Sequence, residues 1–179
     1  QYLSLYRYGC KGKGAIFESL SRSGQEALYQ PNVEAFQVWL EYVLASKNAG
    51  HLGAEYKAVD TDLMGLQTFR FLALSFAKPI PKLKSLHSYD ALCRLYDSER
   101  IHSEVVRNES LREDMEALVN SKLADSVDVP SATRYLRSAP AINTSPKTDF
   151  DIEAVNAETL DLIRQKERFL LERFYPEYL

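Results

Sequence analysis

The feature that most constrains this fold is a self-similarity at an offset of 33 residues, which aligns Val33 with Leu66. Under this shift the apolar pattern of residues 33–44 falls on that of residues 66–77, and Tyr56 falls on Tyr89. The offset equals the length of one helix-turn-helix unit in the αα-repeat families. The sequence therefore predicts tandem helical hairpins, with an irregular helix bundle as the alternative.

Helical periodicity runs through most of the chain, whereas no segment alternates apolar and polar residues with the period of a strand. We therefore predict an all-α fold. Asn32 and Asn108 are suitable N-caps for the helices that follow them, and Asn156 starts the last predicted helix. The main predicted helices cover residues 33–47, 54–59, 61–77, 82–97, 98–107, 109–123, 130–136 and 156–174.

Changes in composition divide the chain into four predicted segments. The first is rich in Gly, Tyr and basic residues, and the third is rich in Ser, Pro, Ala, Asn and Thr, which is typical of a linker. The predicted segments are an N-terminal arm at 1–14, a helical-hairpin domain at 15–137, a linker or strap at 138–150, and a C-terminal helix with its tail at 151–179.

The overall composition is that of a chain able to bury its own core. Its 179 residues are 45% hydrophobic and 26% charged, which suits a single globular domain. Cys10 and Cys93 are too few for a disulfide framework, which favours a reducing compartment. The longest nearly apolar run, residues 69–77, is about half of the roughly 20 residues that a membrane span requires. We therefore predict no transmembrane segment.

Motifs for catalysis or cofactor binding are missing from the sequence. The glycine-rich stretch 9–14 departs from a P-loop, because Gly14 rather than Ser or Thr follows Lys13. The histidines lack the i, i+4 spacing of a metal-binding helix. We therefore predict no catalytic, cofactor-binding or metal-binding residues, and a protein that is not an enzyme. The three histidines are His51, His87 and His102.

A basic cluster lies within the predicted hairpins, where aromatic residues alternate with Lys and Arg. Such a pattern can bind single-stranded nucleic acid by stacking and charge, but its aromatics also fall at the spacing of a helical core. The net charge of −3 opposes a nucleic-acid function driven by electrostatics. Packing therefore explains the aromatics better. The cluster comprises Arg70, Lys78, Lys82 and Lys84 with Phe69, Phe71 and Phe76.

The units at 33–59 and 66–92 resemble degenerate pentatricopeptide repeats, helical hairpins of the same general kind as tetratricopeptide repeats. In that family, a side chain on the first helix reads an RNA base. The corresponding residues here are Gln37 and Arg70, where the family usually carries Asn, Thr or Ser. This difference favours a repeat scaffold reused for protein contact.

Taken whole, the chain resembles the pentatricopeptide-like accessory subunits that euglenozoan mitochondria add to the catalytic head of their ATP synthase. The similarity lies in size, in the hairpins around residues 36–39 and 69–72, in the acidic balance, and in the C-terminal extension ending Phe174-Tyr175-Pro176. It implies one non-catalytic copy on the outside of each α subunit, on the matrix side of the inner membrane. Nucleotide chemistry would stay on the α and β subunits.

The resulting expectation is an interaction protein with aromatic anchors at its two ends, Tyr6 and Tyr8 in the arm and Phe174 and Tyr178 in the tail. Tyrosine and phenylalanine give a large contact area for little ordering entropy. The expected partner is a large complex, through the ATP synthase α subunit, rather than nucleic acid or a second copy of the chain. The alternative is an organellar RNA-binding protein of the pentatricopeptide type.

Overall fold

The computed structural model describes residues 32–140 and 155–179. These residues form helices joined by turns and loops, with no strand among them, which confirms the all-α prediction. The α-helices are α1 Val33–Leu44, α2 Ala49–Leu52, α3 Ala54–Lys57, α4 Leu66–Ser75, α5 Pro79–Lys84, α6 Tyr89–Glu99, α7 Leu111–Asn120, α8 Val129–Ser138, α9 Ala157–Lys166 and α10 Arg168–Phe174. Short 3-10 helices occupy Ser46–Asn48 and Pro176–Tyr178.

Two compact units account for the described residues. The first contains α1 to α6 together with α9 and α10, and the second begins at His102 and contains α7 and α8. This grouping differs from the division by composition, in which residues 15–137 formed one domain and the C-terminal helix stood apart. The difference arises because α10 supplies Phe169 to the core of the first unit.

The predicted Asn32 cap is confirmed, and Asn156, which was predicted to start the last helix, is also an N-cap. The predicted Asn108 cap is wrong, because the helix after it begins only at Leu111. The Asn32 side chain accepts a hydrogen bond from the Ala35 amide at 2.8 Å, and the Asn156 side chain accepts one from the Thr159 amide at 2.8 Å. Each bond satisfies one of the amides that the first turn of a helix leaves without a partner. Local sequence alone therefore determines where α1 and α9 begin.

The predicted helix at 82–97 is wrong in its bounds, because two helices cover this part of the chain. Pro79 opens α5, which ends at Lys84, and α6 starts after Ser88, whose hydroxyl accepts from the Ala91 amide at 3.3 Å. A serine cap favours a new helix start over continuation of the old one. The predicted helix at 98–107 is also wrong, since residues 102–107 form no helix.

The predicted start of α4 at residue 61 is likewise wrong, since the helix begins five residues later at Leu66. The Asp60 carboxylate accepts from the Asp62 amide at 3.0 Å and from the Leu63 amide at 3.2 Å. Aspartate often closes a turn in this way. The turn over residues 61–63 ends before α4 begins.

Helices α1 and α4 begin at residues 33 and 66, an interval equal to the offset in the sequence. The second helices of the two predicted repeats, 33–59 and 66–92, differ in length, because α3 has 4 residues whereas α6 has 11. Gly53, at φ 155°, ends α2 and precedes α3, so the first repeat is broken into short helices. The two repeats therefore differ in the length of their second helices.

The core of the first unit is built around buried aromatic and aliphatic side chains from seven helices and the loops between them. Phe169 lies among other rings, 5.0 Å from Tyr96 and 6.4 Å from Phe71 between ring centroids. Its side chain is 2% exposed. Other fully buried members of this core are Tyr56, Met64, Leu72, Leu83 and Leu92.

In the second unit, α7 packs against α8. Val119 is buried there, and the Arg137 guanidinium donates to the Glu116 carboxylate at 3.0 and 3.1 Å. Across residues 32–140 and 155–179, no helix combines the length and hydropathy that crossing a membrane demands.

Candidate protein-interaction site

The C-terminal helices are joined to the rest of the first unit by a buried lysine. The Lys166 ammonium donates to the Ser46 hydroxyl at 2.6 Å, the Thr61 carbonyl at 2.6 Å and the Asp62 carboxylate at 2.7 Å. An ammonium has three donors, and all three are used here. The hydrogen bond from Lys166 holds the pKa of the Asp62 carboxyl below its usual value. Lys166 thus fixes the end of α9 against the loop before α4.

The next residue, Glu167, caps α4 from a distance in sequence. Its carboxylate accepts from the Thr68 amide at 2.7 Å, the Gln67 amide at 3.1 Å and the Thr68 hydroxyl at 2.8 Å. Negative charge at the first turn of a helix is stabilising, because it satisfies free amides and complements the helix dipole. The Glu167 carboxylate therefore serves as the N-cap acceptor of α4, which has no capping side chain of its own.

Gly65 allows this close approach. A Cβ at this position would overlap Oε1 of Glu167, and the Gly65 amide itself donates to the Lys166 carbonyl at 2.6 Å. The φ of Gly65 is −76°, which any residue can adopt, so the glycine is required by the space and not by the backbone angle.

A second set of polar contacts joins α10 to α6. The Arg173 guanidinium donates to both carboxylate oxygens of Asp97, at 2.7 and 2.8 Å. The Tyr89 hydroxyl donates to the Glu172 carboxylate at 2.6 Å, and the Arg168 guanidinium lies 4.1 Å from the centre of the Tyr89 ring. Bidentate pairing and ring stacking restrict arginine orientation. Helix α10 is thereby held in a defined rotation on α6.

These contacts predict a loss of stability in acid. The hydrogen bond from Arg173 lowers the pKa of the Asp97 carboxyl from its usual 3.8. The unfolded chain then binds the proton more readily, so the stability is present above pH 3.8 and is lost as the pH falls through the lower, folded pKa. We expect the unfolding temperature, followed by circular dichroism, to fall below about pH 4. The Asp97→Asn variant should show a shallower fall; an unchanged pH dependence would contradict this role of Asp97.

Against this fixed frame, the first unit exposes several large apolar side chains. Leu74 is 80% exposed, Ile101 66%, Tyr178 59% and Leu179 58%. Large apolar groups that stay in water on ordered structure are typical of interaction sites when they group together. They fall in two places, which we call the Leu74 surface and the tail. The Leu74 surface comprises Arg70, Leu74, Lys78 and Ile101, and the tail comprises Pro176–Tyr178 and Leu179.

The predicted anchors differ in how much of each side chain is exposed. Tyr178 is exposed in the tail, where its carbonyl accepts from Arg164 at 3.5 Å. Phe174 is half-buried, with its ring edge-on to Phe71 at 5.2 Å between centroids, so much of its surface is used inside the chain. Tyr6 and Tyr8 lie outside the described residues.

The two candidate RNA-reading residues have different surroundings. Gln37 donates to Glu41 at 3.0 Å and accepts from the Asn156 amide at 3.4 Å, because α9 packs along α1. Arg70 is exposed on α4. Phe69 and Phe76 of the basic cluster are 7% and 4% exposed, and they belong to the core. The aromatics of the cluster are therefore packing residues.

Sequence reasoning missed Lys166 and Glu167, because a Lys-Glu pair inside a helical pattern usually faces solvent. One signal was available. No Ser, Thr, Asp or Asn directly precedes Leu66, so the first turn of α4 had to find its acceptor elsewhere in the chain. The predicted single helix at 156–174 is also interrupted at Glu167, whose ψ of 17° differs from that of a regular helix.

No group of three or more His, Cys, Asp or Glu side chains that could hold a metal ion occurs within the described part of the chain. In the second unit, Val129, Pro130, Thr133 and Arg134 line one side of a shallow, open depression. Comparison of the whole chain with protein-family models, with curated proteins and with solved structures finds no match. The chemistry of the exposed surfaces is therefore the main guide to what the protein binds.

Proposed function

We propose that this chain is a non-catalytic accessory subunit of mitochondrial ATP synthase. It would bind on the outside of the catalytic head, against the α subunits in the matrix, and support the assembly or structure of that head. The docking role is supported mainly by one observation, the 80% exposure of Leu74 on a helix whose ends are both held in place. The choice of assembly is supported by the resemblance in size, hairpins and C-terminal extension.

The physical basis for docking is the contrast between a restrained scaffold and its exposed apolar groups. Helix α4 is capped by Glu167 at one end, and Ser75 near its other end accepts from the Ile101 amide at 2.9 Å. A preorganised surface loses little conformational entropy when a partner binds, so more of the contact energy appears as affinity. Tyr178 would then be an anchor of a residue type that is enriched at the centres of interfaces, and Leu74 would add apolar contact area.

The proposed scaffold is a pair of degenerate repeats, formed by α1 to α3 and by α4 to α6. The shared starts at residues 33 and 66 support this arrangement. A repeat cannot bury its apolar face alone, and stacking on a neighbour completes the core. In this chain α9 and α10 would act as the terminal capping element, since they cover α1 and complete the core.

The RNA-binding alternative has less support. Gln37, at the first candidate reading position, is already hydrogen-bonded to Glu41 and to the start of α9. A base would have to displace those contacts before it could be read. Base stacking on aromatic rings, which gives much of the affinity for single strands, would also need rings other than the buried Phe69 and Phe76.

Purification of the native assembly tests the proposed function. A tagged copy of the full chain should co-purify with the α and β subunits of ATP synthase in a fixed ratio, measured by native electrophoresis and quantitative mass spectrometry. RNA should be absent from the purified material. Recovery of the chain without α subunits would contradict the proposal. Recovery with organellar RNA that slows hydrogen exchange of the chain's backbone amides would also contradict it.

Removal of the tail gives a second test. Deleting residues 176–179 should lower the yield of the assembled complex at least several-fold, because Tyr178 and Leu179 are more than half exposed and are available to a partner. The unfolding temperature of the isolated chain should change little. The matched control is Leu111→Asp in the second unit, which removes another exposed apolar group. Equal yields for the wild type and the deletion would remove the tail from the interface.

A further inference from the structure

We propose that the Leu74 surface binds an acidic, amphipathic helical segment of a protein partner. The inference rests on the docking role proposed above, and it adds the place of contact and the chemistry of the bound segment. It does not depend on which assembly supplies that segment. Four residues carry the argument, namely Arg70, Leu74, Lys78 and Ile101.

The backbone brings these residues to one end of α4. Arg70 and Leu74 are four residues apart on the helix, so their side chains lie on the same face one turn apart. The Ile101 amide donates to the Ser75 carbonyl at 2.9 Å, which holds Ile101 beside the residue that follows Leu74. The result is an apolar pair, 80% and 66% exposed, flanked by a guanidinium.

The charge of this region is opposite to that of the chain as a whole. Residues 70–100 contain six Lys or Arg and three Asp or Glu, whereas the complete chain has a net charge of −3. Some of these charges are already paired, since Lys82 lies 2.6 Å from Glu99. Arg70, Lys78 and Lys84 have no carboxylate within ion-pair distance among the described residues. An acidic partner would supply the missing counter-charges.

Lys78 adds a second, independent feature. Its φ is 56°, and it is the one residue other than glycine with positive φ in the described part of the chain. A glycine adopts this conformation more easily than any residue with a side chain. Lysine at this position therefore places an ammonium group on the turn at a cost in backbone strain. The turn exposes Lys78 directly before α5.

The apolar residues favour a protein partner over a nucleic-acid partner. Leu74 and Ile101 are aliphatic, whereas single-stranded nucleic acid is bound by stacking on aromatic rings. An amphipathic helix presents apolar side chains at i, i+3 or i+4 beside charged ones, which matches an aliphatic pair flanked by basic groups. Carboxylates of that helix would pair with the Arg70 guanidinium, which favours bidentate carboxylate contacts.

Photo-crosslinking in the intact assembly tests this inference. The photoreactive residue p-benzoylphenylalanine is placed at position 74 in the full-length chain, at position 178 to report on the tail, and at position 111 as a control. After irradiation, mass spectrometry identifies the crosslinked peptides. We expect position 74 to give a partner peptide with net negative charge and helical apolar spacing. Crosslinks to RNA, to a basic or uncharged peptide, or to no partner at all would each overturn the inference.

Charge reversal measures the contribution of single residues. Arg70→Glu and Leu74→Asp should each lower the yield of a crosslink installed at the neighbouring position 77 at least tenfold. Arg94→Glu makes the same change of charge at an exposed position of α6 and should leave the yield unchanged. Circular dichroism checks that each variant keeps its helices. An equal loss in Arg94→Glu would mean that net charge alone, and not this surface, controls binding.

The outcomes also separate this inference from the proposed function. An acidic helical peptide from a protein outside ATP synthase would support the Leu74 surface and contradict the assignment to that enzyme. A crosslink to the ATP synthase α subunit from position 178 but not from position 74 would do the reverse.

Discussion

Replacing Phe169 with alanine should lower the free energy of unfolding by about 4 kcal/mol, since a buried phenylalanine lost from a core costs roughly 3–5 kcal/mol. Phe169 is 2% exposed, and its ring lies 5.0 Å from that of Tyr96. The substitution removes this contact and leaves a cavity where α10 meets the first unit. Urea unfolding followed by far-ultraviolet circular dichroism measures the change.

The exposed aromatic residue on the same C-terminal segment serves as the control. Tyr178→Ala should change the free energy of unfolding by less than about 0.5 kcal/mol, as is usual for surface substitutions. If Phe169→Ala were as mild as Tyr178→Ala, then α10 would not be part of the core. That result would also undermine the role of α9 and α10 as the capping element of the scaffold.

Replacing Glu167 with alanine should cost about 3 kcal/mol, since each buried donor left without a partner costs roughly 1–3 kcal/mol. The Thr68 amide and hydroxyl and the Gln67 amide all lose their acceptor in this variant. Glu167→Gln keeps one acceptor oxygen and should lose less. Equal losses for Glu167→Ala and Glu167→Gln would mean that packing, and not the cap, accounts for the effect.

The same contact predicts a strong coupling between Gly65 and Glu167. Gly65→Ala in the wild type should be destabilising by about 2 kcal/mol or more, because the new methyl group displaces the carboxylate from its three donors. In the Glu167→Ala background the methyl group meets no carboxylate, so the same substitution should be nearly neutral. A double-mutant cycle measures this difference directly. Additive effects would show that Gly65 is not there to admit Glu167.

The parts of the fold that sequence predicted correctly depend on interactions between near neighbours. The caps Asn32 and Asn156 each bond to an amide three residues away, so a short window of sequence contains both partners. The start of α1 follows from its cap and the apolar pattern, whereas α4 begins five residues after its predicted start. Helix content and the starts of the capped helices are therefore accessible to reasoning from the sequence.

The parts that sequence did not predict depend on distant partners. Glu167 and Gly65 are about a hundred residues apart, and no local pattern indicates that Glu167 caps the helix that follows Gly65. The same distance explains why residues 155–179 were separated from the core that they complete. Capping by a remote carboxylate is a tertiary contact, and a periodicity argument contains no information about it.

In the candidate site, too, sequence alone did not show which apolar residues are exposed. Leu72 is fully buried, whereas Leu74, two residues later on the same helix, is 80% exposed. Phe174, predicted as an anchor, is half-buried and packs on Phe71. Which apolar residues remain outside depends on how the helices pack together, so the Leu74 surface became visible only in three dimensions. The basic cluster around it was visible in the sequence.

The long sequence separation between Phe169 and Tyr96 has a consequence for biosynthesis. A ribosome adds roughly 5–20 residues each second, and the whole second unit lies between these two residues, so the Phe169 ring is made seconds after Tyr96. Until then the helices that it contacts have no complete core. We expect the first unit to complete its core only after the hairpin of α7 and α8, built from neighbouring segments, has been synthesised and can fold.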